Sequence, residues 1–481
     1  MREYAQFDGI GLAQLIARGE VSASEVTEAA INAIESLNPQ LNAVTITNFD
    51  NARNALGQNN ESALAYVPFL LKDVNVFSHD MPTTFSSAFF ADARPRPDSE
   101  IVTRWRNAGL SILGKTNTPE FAEDYVCEPT FRGATLNPWN TGLTTGGSSG
   151  GAGAAVASGM VPIAHGTDLG GSIRIPAACC GVFGFKPSAG LSPVDASLPE
   201  ISNGFNSDHV LTRSVRDSAA SLDITAGHAH GYRYCLESRS GQYLASLDAP
   251  TGKLKVGVCC HTPTGELAGT RQQQAVEMAA ALLVDAGHEL IEYRYPTDLD
   301  IGDWLETLWM PDVVSEINQR VAELGREPRD YELESLTRFL RGLVANMGAI
   351  DLYHARRRAH CTSVTLMQSI ADYDLLLTPA LARDPIPLGA LDSRTDAFDY
   401  EQWSADGYAF APFSYVCNMT GQPAAAIPVF LQDGGMPCSV QLAGHSSQDQ
   451  LVLQVCRVLE QSLDWHGKHP PIWSGHTDSA R

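Results

Sequence analysis

Short apolar runs of strand length recur along the whole chain with helical patterns between them, and no other feature restricts the fold as much. The runs predict strands at 43–47, 67–71, 110–113, 161–165, 254–259, 289–293, 374–378, 424–430 and 437–443. Helices fill many of the gaps. Ser22 and Glu25 make a capping box that opens a helix carrying Val26, Ala29, Ile31, Ala33 and Ile34 toward a stop at Asn38-Pro39. This alternation argues for an α/β fold rather than an all-α or all-β one. Residues 302–371 hold no strong strand signal and read as a mostly helical excursion over the sheet. No repeat, charge block or long linker divides the chain, so a single domain spanning 1–481 is expected.

Within that pattern, residues 144–155 (TTGGSSGGAGAA) stand out for their lack of side chains. Gly/Ser-rich sequence is the composition of a flexible linker. Gly146-Gly147-Ser148-Ser149-Gly150 also fits G-x-S-x-G, the elbow of a nucleophilic serine. A third reading is a stretch whose small residues let backbone N–H groups approach an anion or oxyanion. The linker reading suffers because a small-residue helix, AGAAVASG, and a strand, VPIAH, follow at once. The elbow reading suffers because it needs a preceding buried strand, whereas Asn137-Pro138-Trp139-Asn140-Thr141-Gly142 reads as a loop.

Two other patterns mimic functional motifs. Gly109 to Thr116 satisfies the phosphate-loop pattern G-x-x-x-x-G-K-[ST], but its interior, LSIL, has the character of a buried strand rather than a loop. His228-x-His230 and His466-x-x-His469 are closely spaced, yet no convergent carboxylates accompany them, so no metal site is expected. The ten cysteines include no C-x-x-C and are read as reduced and mostly buried. A formal net charge of −22 argues against nucleic-acid or anionic-membrane partners, because phosphate binding needs clustered Lys and Arg. The start, MREYAQFDGI, lacks a signal-peptide core, and no apolar run approaches the roughly 18 residues of a membrane span, so a cytoplasmic location is expected.

The most informative segment is VPIAHGTDLGGSIRIPAACCGVFGFKP, residues 161–187. A strand precedes Asp168-Leu169-Gly170-Gly171-Ser172, and Pro176 is suited to start a helix after it. Such a turn can gather the N–H groups of 169–172 beside the Ser172 hydroxyl, making an oxyanion hole with its own nucleophile. A glycine turn with an exposed serine is the alternative.

GGSSGG at 146–151, GTDLGGSIRIPA at 166–177 and CGVFGFKPS at 180–188 resemble successive parts of the amidase signature, with Ser148 and Ser172 separated by 24 residues. The resemblance to that family extends through VPFLLKDVNV, ILGKTNTPEFA, GATLNPWN, LTRSVRDSA, NMTGQPAAAIPV and GMPCSVQLAG. The TNTPE, NPWN and RSVRD context is similar to enzymes that open cyclic amide oligomers of aminohexanoate and to bacterial amidases of broad small-amide scope. The resemblance implies a large mixed central sheet covered by helices on both faces. It also implies a catalytic triad: Ser172 as nucleophile, Ser148 as proton relay on a cis peptide, and Lys72 as base. Leu169, Gly170, Gly171 and Ser172 would supply the oxyanion hole, while Ser149, Asp168 and Arg174 would support the loop. Lys72 ends the apolar run Val67 to Leu71, where burial would lower its pKa and free a neutral amine to accept a proton.

On the same resemblance, Phe121, Ala122 and Tyr125 would line the acyl side of the substrate, with Trp304, Leu308, Trp309 and Met310 as an apolar cover. Phe430 and Ser439 stand where the family usually has glycines, which bears on the wall of the pocket. No cofactor is expected. The expected partner is a small-molecule amide, including aminohexanoate oligomers or carbamates, acted on by a monomer or homodimer. Two other functions stay open: a glutamine amidase subunit of a tRNA amidotransferase, whose likeness fails over 189–213, and a noncatalytic binding relative, which would break the triad that this chain keeps.

Overall fold

The computed structural model describes the chain except for residues 2, 57–59, 194–200, 228, 230–235, 237–240, 396, 433 and 476–481, so His228 and His230 lie outside the described residues. Its strands are β1 (Val44–Thr47), β2 (Pro68–Lys72), β3 (Ser111–Thr116), β4 (Leu136–Asn137), β5 (Asn140–Thr144), β6 (Ile163–Asp168) and β7 (Phe183–Lys186). They continue with β8 (Ser207–Thr212), β9 (Lys255–Val258), β10 (Glu289–Glu292), β11 (Leu375–Pro379), β12 (Ala424–Val429) and β13 (Cys438–Gly444). Eleven of them form one sheet in the order β1-β3-β2-β6-β8-β7-β12-β13-β11-β9-β10. β3, β2 and β6 run parallel, as do β11, β9 and β10, and the strands between are antiparallel. The sheet is therefore mixed, in an α/β fold.

Every residue of β2, β3, β6, β7, β8, β11, β12 and β13 is buried. Successive side chains of a strand point to opposite faces, so both faces must be covered. Leu70, Ala164 and Ala426 join a core with the helices Ala23–Leu41, Gly150–Ala157 and Arg174–Cys180. Their neighbours Phe69, Ile163, Ala425 and Ile427 pack the other way, against Glu100–Asn107, Val215–Thr225, Thr270–Asp285 and Asp449–Leu463. Residues 302–371 carry the helices Glu306–Leu324, Ser335–Ala345 and Ala349–Ser369, of which the first reaches the cavities beside Ser172. No described helix is long and apolar enough to cross a membrane.

All nine expected strands are present, within a few residues at each end. Four differences have local causes. β7 and β8 were not expected: β7 is four residues of FGFK, and β8 is a buried strand with polar residues, in which Asp208 meets His165 and His209 meets Ser218. The segment 137–142, expected as a loop, runs from the last residue of β4 through a turn at Pro138-Trp139 into β5. The helix expected to stop at Asn38-Pro39 continues to Leu41, because Pro39 falls in its last turn and Asn38 Oδ1 accepts from the N–H groups of Ala43 and Val44 just beyond it. The helix at Pro176 begins two residues earlier, at Arg174, since the N–H that proline lacks would be unpaired in a first turn anyway.

The phosphate-loop lookalike is strand β3. Lys115 is fully buried, with Nζ 2.6 Å from Thr83 Oγ1 and 3.6 Å from Asp73. Gly114 is glycine because a Cβ there would overlap the Ile46 carbonyl where β1 crosses with a register shift. Gly114→Ala is therefore expected to lose about 1–3 kcal/mol by overpacking, read as a lower urea midpoint at unchanged slope; an unchanged midpoint would contradict this account of the β1–β3 contact.

Candidate active site

β2, β3 and β6 are parallel neighbours, so their carboxyl ends open on the same edge of the sheet, where α/β folds place their binding crevices. Lys72 is the last residue of β2, and Asp168 is the last of β6. The Lys72 side chain is fully buried, with Nζ 2.6 Å from Ser148 Oγ and 2.8 Å from Thr167 Oγ1. Burial pushes its pKa down to about 7, only partly offset by Cys127, Asp208 and Asp168. Behind it, the Lys72 backbone N–H donates to His165 Nδ1, and His165 Nε2 lies 3.1 Å from Asp208 Oδ1. With Nδ1 accepting, the ring proton belongs on Nε2 facing Asp208, an assignment made from this network.

The glycine-rich stretch supplies Ser148 and leads into the helix Gly150–Ala157; the Gly147–Ser148 peptide is cis. Gly147 is pressed by the chain at 124–126: a Cβ on it would lie 2.6 Å from Asp124 O and 2.7 Å from Val126 N. Side chains are absent here because another backbone occupies their place. Ser149 then ties this stretch to the second serine, its N–H donating to the Ser172 carbonyl at 3.1 Å and its Oγ accepting from Thr167 N–H at 3.3 Å.

The Ser172 loop is built around Asp168, which accepts from the N–H groups of Gly171 and Ile173 and from the Arg174 guanidinium, at 2.9 and 2.7 Å. Burial works against the Asp168 charge, but Arg174 outweighs it and holds the carboxyl down to about 2. Arg174 also donates to Ser414 O, Gln441 Oε1 and Asn418 Oδ1, so each of its charged ends is satisfied although 1% of it is exposed. Sequence reasoning missed Thr167, His165, Asp208, Ser414, Asn418 and Gln441. Thr167 and His165 lie within the stretch 161–187, and Asn418 and Gln441 within the family-like stretches NMTGQPAAAIPV and GMPCSVQLAG; Asp208 and Ser414 come from distant segments that carry no local signal.

Gly171 was expected among the oxyanion donors, but its N–H is turned to Asp168 Oδ1. The N–H groups of Leu169, Gly170 and Ser172 have no hydrogen-bond partner among the described residues. Ser172 borders two cavities, one of about 130 Å³ and one of about 50 Å³. Tyr125 lines the larger, Phe121 the smaller, and Ala122 and Trp309 both. Ser148 borders the smaller cavity with Ser172, and no hydrogen bond joins the two hydroxyls. Of the other expected cover residues, Trp304 and Leu308 pack together in one apolar cluster and Met310 in another. Phe430 and Ser439 line neither cavity: Phe430 packs on Trp139, and Ser439 lies in β13 opposite Pro428. In the C-terminal tail, His466 meets Glu460 and His469 stacks on Trp473.

The family model described as Amidase matches residues 25–453. The 6-aminohexanoate-cyclic-dimer hydrolase of Paenarthrobacter ureafaciens is 34% identical over 483 residues, covering 97% of this chain and 96% of the relative. The solved structure of a 6-aminohexanoate cyclic dimer hydrolase complexed with substrate superposes with a TM-score of 0.92 at 32% identity, covering 97% of this chain and 99% of that one. A bacterial aryl acylamidase of the amidase signature family superposes with a TM-score of 0.85 at 25% identity, covering 96% and 99%. With the match running through nearly the whole chain, including both serine loops, this protein belongs to the Amidase family and is a hydrolase of carbon–nitrogen bonds.

Proposed function

We propose that the chain hydrolyses small to medium apolar or aryl amides through Lys72, Ser148 and Ser172. The observation that carries this reading is the buried Lys72 amine 2.6 Å from Ser148 Oγ, which in turn borders a cavity shared with Ser172. An amine with a pKa of about 7 is substantially neutral at physiological pH and can accept a proton, which a solvated lysine cannot readily do. Ser172 Oγ attacks the carbonyl carbon while its proton passes to Ser148, and the Ser148 proton passes to Lys72. The negative oxygen is met by the N–H groups of Leu169, Gly170 and Ser172. The relay then runs backward, the proton reaches the leaving nitrogen, and the C–N bond breaks to leave an acyl-enzyme. Water attacks that ester by the same route, releasing the acid and restoring Ser172. The separation of the two hydroxyls is compatible with this, since catalytic hydrogen bonds often tighten only with substrate seated.

The aromatic and aliphatic lining of the larger cavity supports acyl groups of several methylenes or an aryl ring. Aminohexanoate oligomers fit that class, and carbamates present the same carbonyl and leaving amine. Free glutamine does not fit: among the described residues no Lys, Arg or His lines the larger cavity to pair with its carboxylate. An amidotransferase-type role therefore predicts the opposite preference to the one proposed.

Ser172→Ala is expected to lower amide turnover by at least about 10³-fold while leaving the fold intact, with a phosphonyl fluoride adduct found by mass spectrometry on Ser172 of the parent. Labelling elsewhere, or turnover retained in the variant, would overturn the nucleophile assignment. Because the base must be neutral, kcat/KM for an anilide should rise with pH to a plateau, half-maximal near the Lys72 value of about 7. Lys72→Ala should hurt anilides more than activated esters, whose leaving groups need no proton; equal losses would count against the relay. Steady-state assays should give glutamine a lower kcat/KM than a hexanoyl anilide, and the reverse order would favour the amidotransferase reading.

A further inference from the structure

Ser172 stands where two cavities meet, and two segments of the chain cross that boundary in the same order. One is 121–125: Phe121 lines the smaller cavity, Ala122 both, and Glu123 to Tyr125 the larger. Phe121 and Ala122 have φ of 49° and 63°, a left-handed turn that sends successive residues to different sides. The other segment is the start of the helix Glu306–Leu324. Leu305 and Glu306 line the larger cavity, Trp309 both, and Asp312, Val313 and Glu316 the smaller. Residues three and four apart share a helix face, so one face of this helix spans the whole site. Trp309 is the large side chain at the boundary, where Ala122, Leu169 and Ser172 also stand.

The two cavities are not equivalent for acyl transfer. Ser148, which returns the proton to the leaving nitrogen, lines the smaller cavity and not the larger. In the tetrahedral intermediate the carbonyl carbon holds, besides Ser172 Oγ, the oxyanion, the acyl chain and the amine nitrogen. With the oxyanion at the N–H groups of Leu169, Gly170 and Ser172, only two directions remain for the other groups. The nitrogen takes its proton only within hydrogen-bond reach of Ser148 Oγ, which belongs to the smaller cavity. The acyl chain is then left with the larger one. Volumes of about 130 Å³ and about 50 Å³ set unequal limits on the two halves of the substrate.

We propose that Trp309 divides the site into an acyl compartment and a separate amine compartment, so that the enzyme selects substrates by the side of the scissile bond on which they carry their bulk. This selectivity rests on the acyl-transfer reading given above and narrows it to amides with a long or aryl acyl group and a compact leaving amine. A chain on the acyl side gains from each methylene it buries. The same chain on the nitrogen must overfill the smaller cavity or displace Trp309. The Phe121 ring belongs to the amine side of this division, not to the acyl side that the family resemblance implies.

The test uses the full chain and two isomers, N-methylheptanamide and N-hexylacetamide, which carry their alkyl chain on opposite sides of the C–N bond. N-methylheptanamide is expected to be cleaved with at least about ten-fold higher kcat/KM. Equal values, or the reverse order, overturn the division and leave the amidase reading standing. Trp309→Ala removes the divider and should bring the ratio to within about three-fold, chiefly by raising the value for N-hexylacetamide. A ratio unchanged in that variant overturns the part given to Trp309; should it fail to fold, Trp309→Leu and the parent comparison decide. Where neither amide is turned over, methyl heptylphosphonofluoridate takes their place: the Ser172 Oγ–P bond forms, the P–F bond breaks, fluoride leaves, and the heptyl chain is located crystallographically. A chain in the larger cavity then overturns the amidase reading and keeps the division. A chain in the smaller cavity, or no adduct on Ser172, overturns the division as well.

Discussion

The site depends on one arrangement: a lysine amine at the end of a buried parallel strand, with no fixed carboxylate bonded to it. Among the described residues, Nζ of Lys72 reaches only two hydroxyls, those of Ser148 and Thr167. A carboxylate in contact offsets part of the burial effect, leaving the pKa of Lys115 at about 8, whereas hydroxyls leave burial to decide the outcome, and burial favours the neutral form. Lys115 gives the contrast. It is equally buried and also on a strand, but Asp73 lies 3.6 Å from it and it faces no cavity serine. Two lysines in similar burial therefore have different uses, separated by what stands next to them.

The charges nearby are kept apart from the amine by being used elsewhere. Asp168 is directed into its own loop and onto Arg174, and the guanidinium reaches on to Ser414, Asn418 and Gln441. Replacing one partner of so buried a pair leaves an uncompensated charge, which costs about 3–5 kcal/mol in comparable cases. The pair serves position rather than reaction: it fixes the turn that presents Ser172 and draws in residues from the helix Ser414–Met419 and from β13. His165 and Asp208 do the same for the other partner, holding the Lys72 backbone from β6 and β8. Lys72 and the Ser172 turn are thus each fastened by a buried network whose members come from several strands.

Much of this was legible in the chain, and what was not has physical reasons. Strands rich in apolar residues announced themselves, from Phe69 to Leu71 and from Ala424 to Val429. β8 did not, because its buried polar residues are satisfied by partners distant in sequence, His165 and Ser218, which no local pattern reveals. The paired serines and Lys72 were named from their motifs, where residue types and spacing are kept together, and the fold brings the Lys72 amine to Ser148 Oγ. The turn of the Gly171 N–H toward Asp168 could not, because the choice between a cavity and a carboxylate is a matter of backbone angle: φ is +129° at Gly171. Phe430 and Ser439, standing where the family usually has glycines, were read as bearing on the pocket wall, and the cavities beside Ser172 instead draw on the 121–125 segment and on Trp309. The acidic residues of that segment stand in the sequence as EFAEDYVC, but only packing brings Glu123 and Glu306 to one wall.

The chemistry proposed for the site turns on the protonation state of one amine, which can be observed without any substrate. In protein carrying lysine labelled with ¹³C at the ε position, the Lys72 resonance, assigned by its loss in Lys72→Met, should titrate with a midpoint near the expected value of about 7. A midpoint near the ordinary lysine value of about 10.4 would contradict it, since the amine would then be charged at neutral pH and unable to take the proton from Ser148.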